Sequence, residues 1–445
     1  MDLFYLAYHF ARARWAFTHL RGEKLQAYQN ARARRLVRFA TQHAPFYARR
    51  FAGFNLDDWE YLPTTDKAAM MAHFGDFNTV RIGRDEALQT ALRAEQSRDF
   101  APTLGPVTVG LSSGTSGHRG LFLVSRQETA AWAGTILARV LPGIPKSGYR
   151  VALFLRSNSN LYERLGALRR VRFRWFDLMS ETSTAVAGLN EYTPDLLVGP
   201  PSLLLMLANE KEANRLRIHP ERLLSVAEVL EEQDKTRLEA VFGVPVGQIY
   251  QCTEGLLAVS CPYGGLHVQE DLIALQYERA DKDNPLRATP LVTDLWRRTQ
   301  PVIRYRLGDV LRLTSPKIPP CLCGSTFRRL DAIEGRADDV CYFPQVSSPE
   351  LRAVFPDTIR RMVLLADAPI RDYRAEQDKP GHLRVFLEVD NAQFNKARCA
   401  VQESAADVMA QYQCRFSCVE VLPGVPPVVP GAKRRRVVCL HGERP

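Results

Sequence analysis

DLLVGPPSLLLMLANEKEAN, residues 195–214, joins a short apolar run to a helical pattern across two prolines. The first five residues read as a buried strand and 201–214 as a helix. The same alternation runs from residue 100 to 310. VALFL (151–155), VAEVL (226–230) and GQIYQ (247–251) are strand-like, and 232–242 is a further helical stretch. Repeated βα text implies a largely parallel sheet covered by helices, with ligands beyond the carboxyl ends of its strands. GLSSGTSG follows the strand-like VTVGL, and QCTEG follows QIY, so both are expected at one pocket. The composition changes after GRADD (335–339). HLRVFLEVD (382–390) and FSCVEVL are strand-like, with a helix expected over 392–411. The expected fold class is therefore α/β. A large N-terminal domain over 1–335, with parallel or mixed sheets and a helical part over 1–100, precedes a small α+β domain over 336–445.

Composition narrows the function. At 445 residues, 46% hydrophobic and 24% charged, the chain reads as globular. No apolar run reaches the ~18 residues that span a bilayer. The opening MDLFYLAYHFARARW is interrupted by His9, Arg12 and Arg14 and has no cleavage site, so the expected location is the cytoplasm. Nine cysteines, an odd number, suit reduced thiols or metal ligands better than a disulfide framework. A net charge of +10 favours anionic partners. The Lys and Arg residues are dispersed and no nucleic-acid module is present, so nucleotide substrates, an acid or an acidic carrier protein are expected rather than nucleic acid. Within LPTTDKAAM (62–70), Thr65 or Asp66 is the expected cap of a helix whose first turn holds Lys67.

GLSSGTSGHRG (110–120) carries the chemistry. Its glycines tolerate positive φ, and its hydroxyls and backbone N–H groups can converge on a polyphosphate. It lacks the Gly-Lys-Ser/Thr ending of a Walker loop. LSSGTSG (111–117), YQCTEG (250–255), RYRLGD (304–309) and GRADD (335–339) occur in that order. With them the chain resembles the adenylate-forming superfamily of acyl-CoA synthetases, adenylation domains and luciferases. It looks closest to the phenylacetate–CoA ligase-like branch, including enzymes related to the synthetase that adenylylates a deazaflavin coenzyme. APFYARRF (44–51) and GLHVQED (265–271) fit as well.

The resemblance implies an ATP- and Mg²⁺-dependent ligase with a mobile C-terminal lid. Ser112, Ser113, Thr115 and Ser116, with Gly114 and Gly117, would hold the β- and γ-phosphates. Glu254 would bind Mg²⁺, Thr253 would lie by the α-phosphate and Tyr250 by the adenine. Asp309 would accept the ribose hydroxyls, unless Arg306 pairs with it. Arg336 would approach the nucleotide, and Asp338 would be the hinge. Lys433 would bridge the α-phosphate and the attacking oxygen, the alternative being a solvated basic tail. Asn158, Asn160, Tyr162 and His267 are the candidate substrate contacts. Cys261, Cys321 and Cys323, with Cys252 or His267, would make a structural zinc site.

Three departures from the pattern stand out, and the third bears on the second half-reaction. His118-Arg119 stands where the family usually has a lysine, and Ala432 precedes Lys433. The stretch after GRADD lacks the glycine of CoA ligases, and its Phe-Pro falls at 343–344 or 355–356. The expected acceptor is thus CoA, a carrier-protein thiol or an amine. AMP transfer to an acidic hydroxyl, and a non-catalytic nucleotide-binding protein of the same fold, are the alternatives.

Overall fold

The computed structural model describes residues 3–97, 102–112, 119–141, 148–155, 171–178, 180–427 and 433–441. The chain forms two compact units. One comprises Met1–Glu278, Pro290–Leu307 and Leu313–Asp331; the other comprises Arg279–Thr289, Gly308–Arg312 and Ala332–Pro445.

In the larger unit, five strands pair in parallel in the order Val171–Asp177, Tyr149–Leu155, Leu196–Gly199, Arg222–Val226 and Val246–Cys252. The helices Thr182–Tyr192, Pro201–Glu212 and Glu232–Phe242 follow Val171–Asp177, Leu196–Gly199 and Arg222–Val226 in turn. Apolar residues from both kinds of element, including Phe154, Leu197, Leu204, Leu223 and Leu238, close into one core. Local chemistry sets the helix ends. Pro201 occupies the first turn of its helix, where its fixed φ costs nothing. Gly243 ends the last helix at φ +69°, a left-handed stop that glycine adopts freely.

Two sequence expectations are corrected here. The strand placed at 226–230 lies at Arg222–Val226 instead, because LLSV supplies the buried run and Ala227, at φ +69°, breaks the extension. The sheet is also mixed rather than mostly parallel. Gly255–Ser260 and Leu266–Val268 continue it antiparallel, through hairpins too short for a crossover helix.

A separate three-stranded antiparallel sheet contains Thr103–Leu104, Val107–Leu111 and Leu121–Ser125. The Ser/Gly stretch thus joins two antiparallel strands and does not follow a strand of the parallel sheet. The apolar LFLV immediately after Gly120 is what folds back. Ser125 then caps the helix Arg126–Val140 in a capping box with Glu128. The helix Leu3–His19 crosses that helix at Gly134, where an added Cβ would lie 2.4 Å from the Leu6 carbonyl oxygen. Glycine is required by that close approach. The helix Gly22–His43 buries Leu25, Ala33, Leu36, Val37 and Ala40 and leaves arginines on its other face.

The smaller unit contains a four-stranded sheet in the order Cys418–Pro423, His382–Glu388, Asp372–Gln377 and Val437–Cys439. The helices Pro356–Leu364 and Phe394–Gln411 cover it, with Tyr373, Val385, Val401 and Met409 in the core. Among the described residues, no helix is long and apolar enough to cross a membrane.

Candidate active site

Glu254 sits at the tip of a tight hairpin. Cys252 pairs with Gly255, so Thr253 and Glu254 form the turn between Val246–Cys252 and Gly255–Ser260. A β-bulge at Tyr250/Gln251 lies just before the tip; such bulges re-aim side chains next to active sites. The Thr253 hydroxyl donates to the Glu254 carboxylate at 2.8 Å, and an Arg297 N–H donates to the Thr253 carbonyl. Asp294 buttresses the other side. It accepts from the backbone N–H groups of Trp296 and Arg297 at 3.0 and 3.1 Å, and its second oxygen approaches Gly255. Burial pushes the Asp294 carboxyl up to about 6.

Several distant segments meet in this unit. Thr65 donates its backbone N–H to the Arg304 carbonyl, and the Arg306 N–H returns to the Thr65 carbonyl. That pairing fixes Tyr305, which is buried. Burial first, and then the nearby Glu254 charge, hold its phenol well above the ordinary range. Gln300 accepts from the Leu123 N–H at 2.8 Å, tying the same segment to the strand after the Ser/Gly stretch. Arg306 pairs with Glu278 at 2.7 Å, which removes the alternative partner considered for Asp309.

The base of the Ser/Gly stretch is closed by three contacts. The Ser112 N–H donates to the Gly120 carbonyl, and the Gly120 N–H donates to the Ser112 hydroxyl, each at 2.7 Å. Arg119 donates to the Ser112 carbonyl and pairs through both terminal nitrogens with Glu95. The positive charge that replaces the family lysine is therefore already neutralised. Ser113, Gly114, Thr115, Ser116 and Gly117 lie outside the described residues, as do Asn158, Asn160 and Tyr162.

Lys67 was missed by sequence reasoning. Asp66 caps its helix by accepting from the Ala69 N–H, and the Lys67 side chain reaches Gly120. A Cβ on Gly120 would sit 3.1 Å from Lys67 Cε and 3.8 Å from Nζ. Glycine at 120 thus leaves room for an ammonium beside Ser112. TTDK placed Lys67 in a first helical turn, but nothing local in sequence pointed to residue 120.

In the smaller unit, the ends of two other motifs abut. Arg336 approaches Asp309 at 3.9 Å and Asp338 at 3.7 Å. The Ala337 N–H donates to the Gly308 carbonyl at 2.7 Å. A Cβ on Gly308 would fall 2.8 Å from the Arg336 guanidinium, so this glycine lets the two segments touch. Lys433 precedes a stretch that is anchored rather than a loose basic tail. Arg434 and Arg436 pair with Asp372, and Arg435 pairs with buried Asp339.

The cysteine expectation resolves into one group. Cys261, His267, Cys321 and Cys323 bring their ligand atoms within 4.8 Å of one another. Cys261 and Cys321 sulfurs are 3.6 Å apart, and His267 Nε2 is 3.3 Å from Cys323 Sγ. His267 Nδ1 lies 2.9 Å from the Phe327 carbonyl oxygen, which orients Nε2 toward the thiols as in many metal sites. His267, considered both as a substrate contact and as a fourth ligand, stands fully buried in this group. Cys252 is not part of it.

No family model matches the chain. It is 26% identical to a phenylacetate–coenzyme A ligase of Escherichia coli over 396 residues, 81% of each chain. It is 25% identical to the phenylacetate–coenzyme A ligase of Thermus thermophilus over 470 residues, 94% of this chain and 97% of that one. Among solved structures, a 2-hydroxyisobutyryl-CoA ligase in the postadenylation state shares the fold, with a TM-score of 0.68 and 20% identity over 96% of this chain and 91% of that one. A GH3.15 acyl acid amido synthetase also shares it, with a TM-score of 0.60 and 12% identity over 94% and 92%. These likenesses support the adenylate-forming superfamily for this chain. Within it, they support a CoA-ligase-like enzyme of the phenylacetate–CoA ligase-like branch.

Proposed function

We propose that the protein uses ATP to adenylate a carboxylic acid, releases pyrophosphate, and passes the acyl group to a thiol or amine. The observation that carries this reading is the hairpin tip of Thr253 and Glu254, braced by Asp294 and Arg297. It offers a hydroxyl and a carboxylate, the oxygen donors a hard cation prefers, so the residues fit magnesium. Magnesium held there by Glu254 would supply positive charge to offset that of the triphosphate.

Around that point each residue has a role. Ser112, the hydroxyls after it and Lys67 hold the outer phosphates. Thr253 and Tyr250 flank the α-phosphate and the adenine. Asp309 accepts the ribose hydroxyls and Arg336 adds positive charge beside them. The substrate carboxylate attacks the α-phosphorus, the bond to the bridging oxygen breaks, and pyrophosphate leaves. Lys433 offsets the negative charge that grows on the α-phosphate, and alignment supplies most of the acceleration. Residues 336–445 act as the lid, turning about Asp338 before acyl transfer. The phenylacetate–CoA ligase relatives support CoA as the thiol and an aryl acid as the first substrate to try. We also propose that Cys261, His267, Cys321 and Cys323 hold one structural zinc with tetrahedral Cys₃His ligation.

ATP–pyrophosphate exchange with a panel of aryl and small aliphatic acids tests the first step. One acid is expected to support exchange, and Glu254→Gln to lower it about a hundredfold or more while ATP still binds. ATP binding without exchange for any acid would favour the non-catalytic reading. Elemental analysis of protein grown with added zinc should give one zinc per chain, and Cys321→Ser should lose it. A zinc-free, folded wild-type chain would refute the metal site.

A further inference from the structure

One depression in the larger unit plays no part in the chemistry above. Its volume is about 540 Å³, within the range of small-ligand sites. Arg34, Arg35 and Arg38 line it from one face of the helix Gly22–His43, spaced so that they project together. Arg298 lines it from a separate segment, and Asp57 is the acidic group in its wall. Four guanidiniums and one carboxylate leave three positive charges uncompensated.

The hydrogen bonding is as unbalanced as the charge. Arg38 pairs with Asp57, and Arg34 donates one N–H to the Asp57 carbonyl at 3.0 Å. Among the described residues, Arg35 has no hydrogen-bond or ion-pair partner. The Arg298 guanidinium has none either and only lies over the Phe39 ring, 5.0 Å from its centroid. His43 already stacks on the same ring at 4.2 Å. The wall therefore offers a fork of unused N–H donors and no vacant aromatic platform for a base. Guanidinium forks match phosphate geometry, and a phosphate can accept from two of them at once.

We propose that this depression is a second anion site, separate from the catalytic one, and that it takes a compact anion carrying two or more phosphates. Phosphate is what it recognises, whether free or as part of a nucleotide. A monovalent acid would leave most of the charge unmatched. The segment that carries Arg298 also carries Arg297 and Thr299, which hold Thr253 and Glu128. A bound anion thus sits on the same short segment that braces the hairpin tip.

Calorimetric titration with inorganic tripolyphosphate tests the site, comparing the wild type with Arg35→Ser/Arg298→Ser. Among the described residues neither side chain donates a hydrogen bond, so the variant should fold normally. The wild type should bind an equivalent that the variant binds at least about tenfold more weakly. The wild-type affinity should also fall steeply between low and physiological salt. Arg35→Lys/Arg298→Lys, which keeps the charge but not the forks, should lie between. ATP–pyrophosphate exchange at saturating ATP should be unchanged in the serine variant, which separates loss of this site from loss of catalysis. Adenosine 3′,5′-bisphosphate binding tighter than tripolyphosphate would identify a nucleotide source; the reverse would identify a free polyphosphate. Equal tripolyphosphate affinity in wild type and serine variant would overturn the proposal.

Discussion

The larger unit holds two arginine clusters of opposite character. In one, Arg139 and Arg12 enclose Asp271, whose side chain is fully shielded from solvent. Arg139 reaches Asp271 at 2.7 Å, Gln269 through Nε and the Ala13 carbonyl through a third nitrogen. Each branch of its guanidinium has an acceptor. In the other, Arg34, Arg35, Arg38 and Arg298 ring an open depression with a single carboxylate among them. The same side chain serves two ends. Buried and paired, it fixes the approach of the helices Leu3–His19 and Arg126–Val140 to the Gln269–Asp271 segment. Unsaturated and wet, it is left to meet a ligand.

The largest test removes one arginine from each cluster. Arg139→Met keeps most of the side-chain volume but leaves Asp271 buried beside Arg12 alone. Breaking a buried pair in this way costs about 3–5 kcal/mol, because a desolvated charge loses its partner. Arg38→Met breaks the exposed pair with Asp57, where water replaces the lost contact, and should cost about 0–1 kcal/mol. Urea unfolding of both variants measures the gap. Equal losses would show that the two clusters do not differ as their burial implies.

This contrast also marks what could be read from the sequence. Three of the five parallel strands were legible because short apolar runs such as DLLVG have no other stable place than a covered sheet. The four motifs were legible as an ordered set. Their neighbours were not. Lys67 meets Gly120 because Thr65 pairs beside Tyr305, a contact between residues some 240 positions apart. The choice of His267 over Cys252 was equally hidden. It depends on the antiparallel pairing of Leu266–Val268, which carries the imidazole back beside Cys261. A solvated basic tail stayed open as the alternative for the run at 433–436, since composition does not show that Asp339 and Asp372 await its arginines. A charged residue announces that it needs a partner or water; only the fold decides which it gets.

His9 sharpens the comparison by a smaller effect. It is fully buried against Tyr5, Tyr8 and Trp296, and among the described residues neither ring nitrogen has a hydrogen-bond partner. Burial, then the charges of Arg12 and Arg32, push it down to about 4, with Asp271 opposing. The ordinary histidine value is 6.5. Between those two values the unfolded chain takes a proton that the folded one refuses. The neutral ring therefore contributes stability above 6.5 that is lost as the pH falls toward 4. His9→Phe keeps the aromatic packing and removes the titration. Relative to the variant, the wild type should lose about 1–2 kcal/mol between pH 7.5 and 5.0 in urea unfolding, less than the full shift implies because nearby water screens part of it. Parallel stability curves for the two proteins would mean that the buried cluster does not exclude a proton, and that its arginines are less isolated from water than their burial indicates.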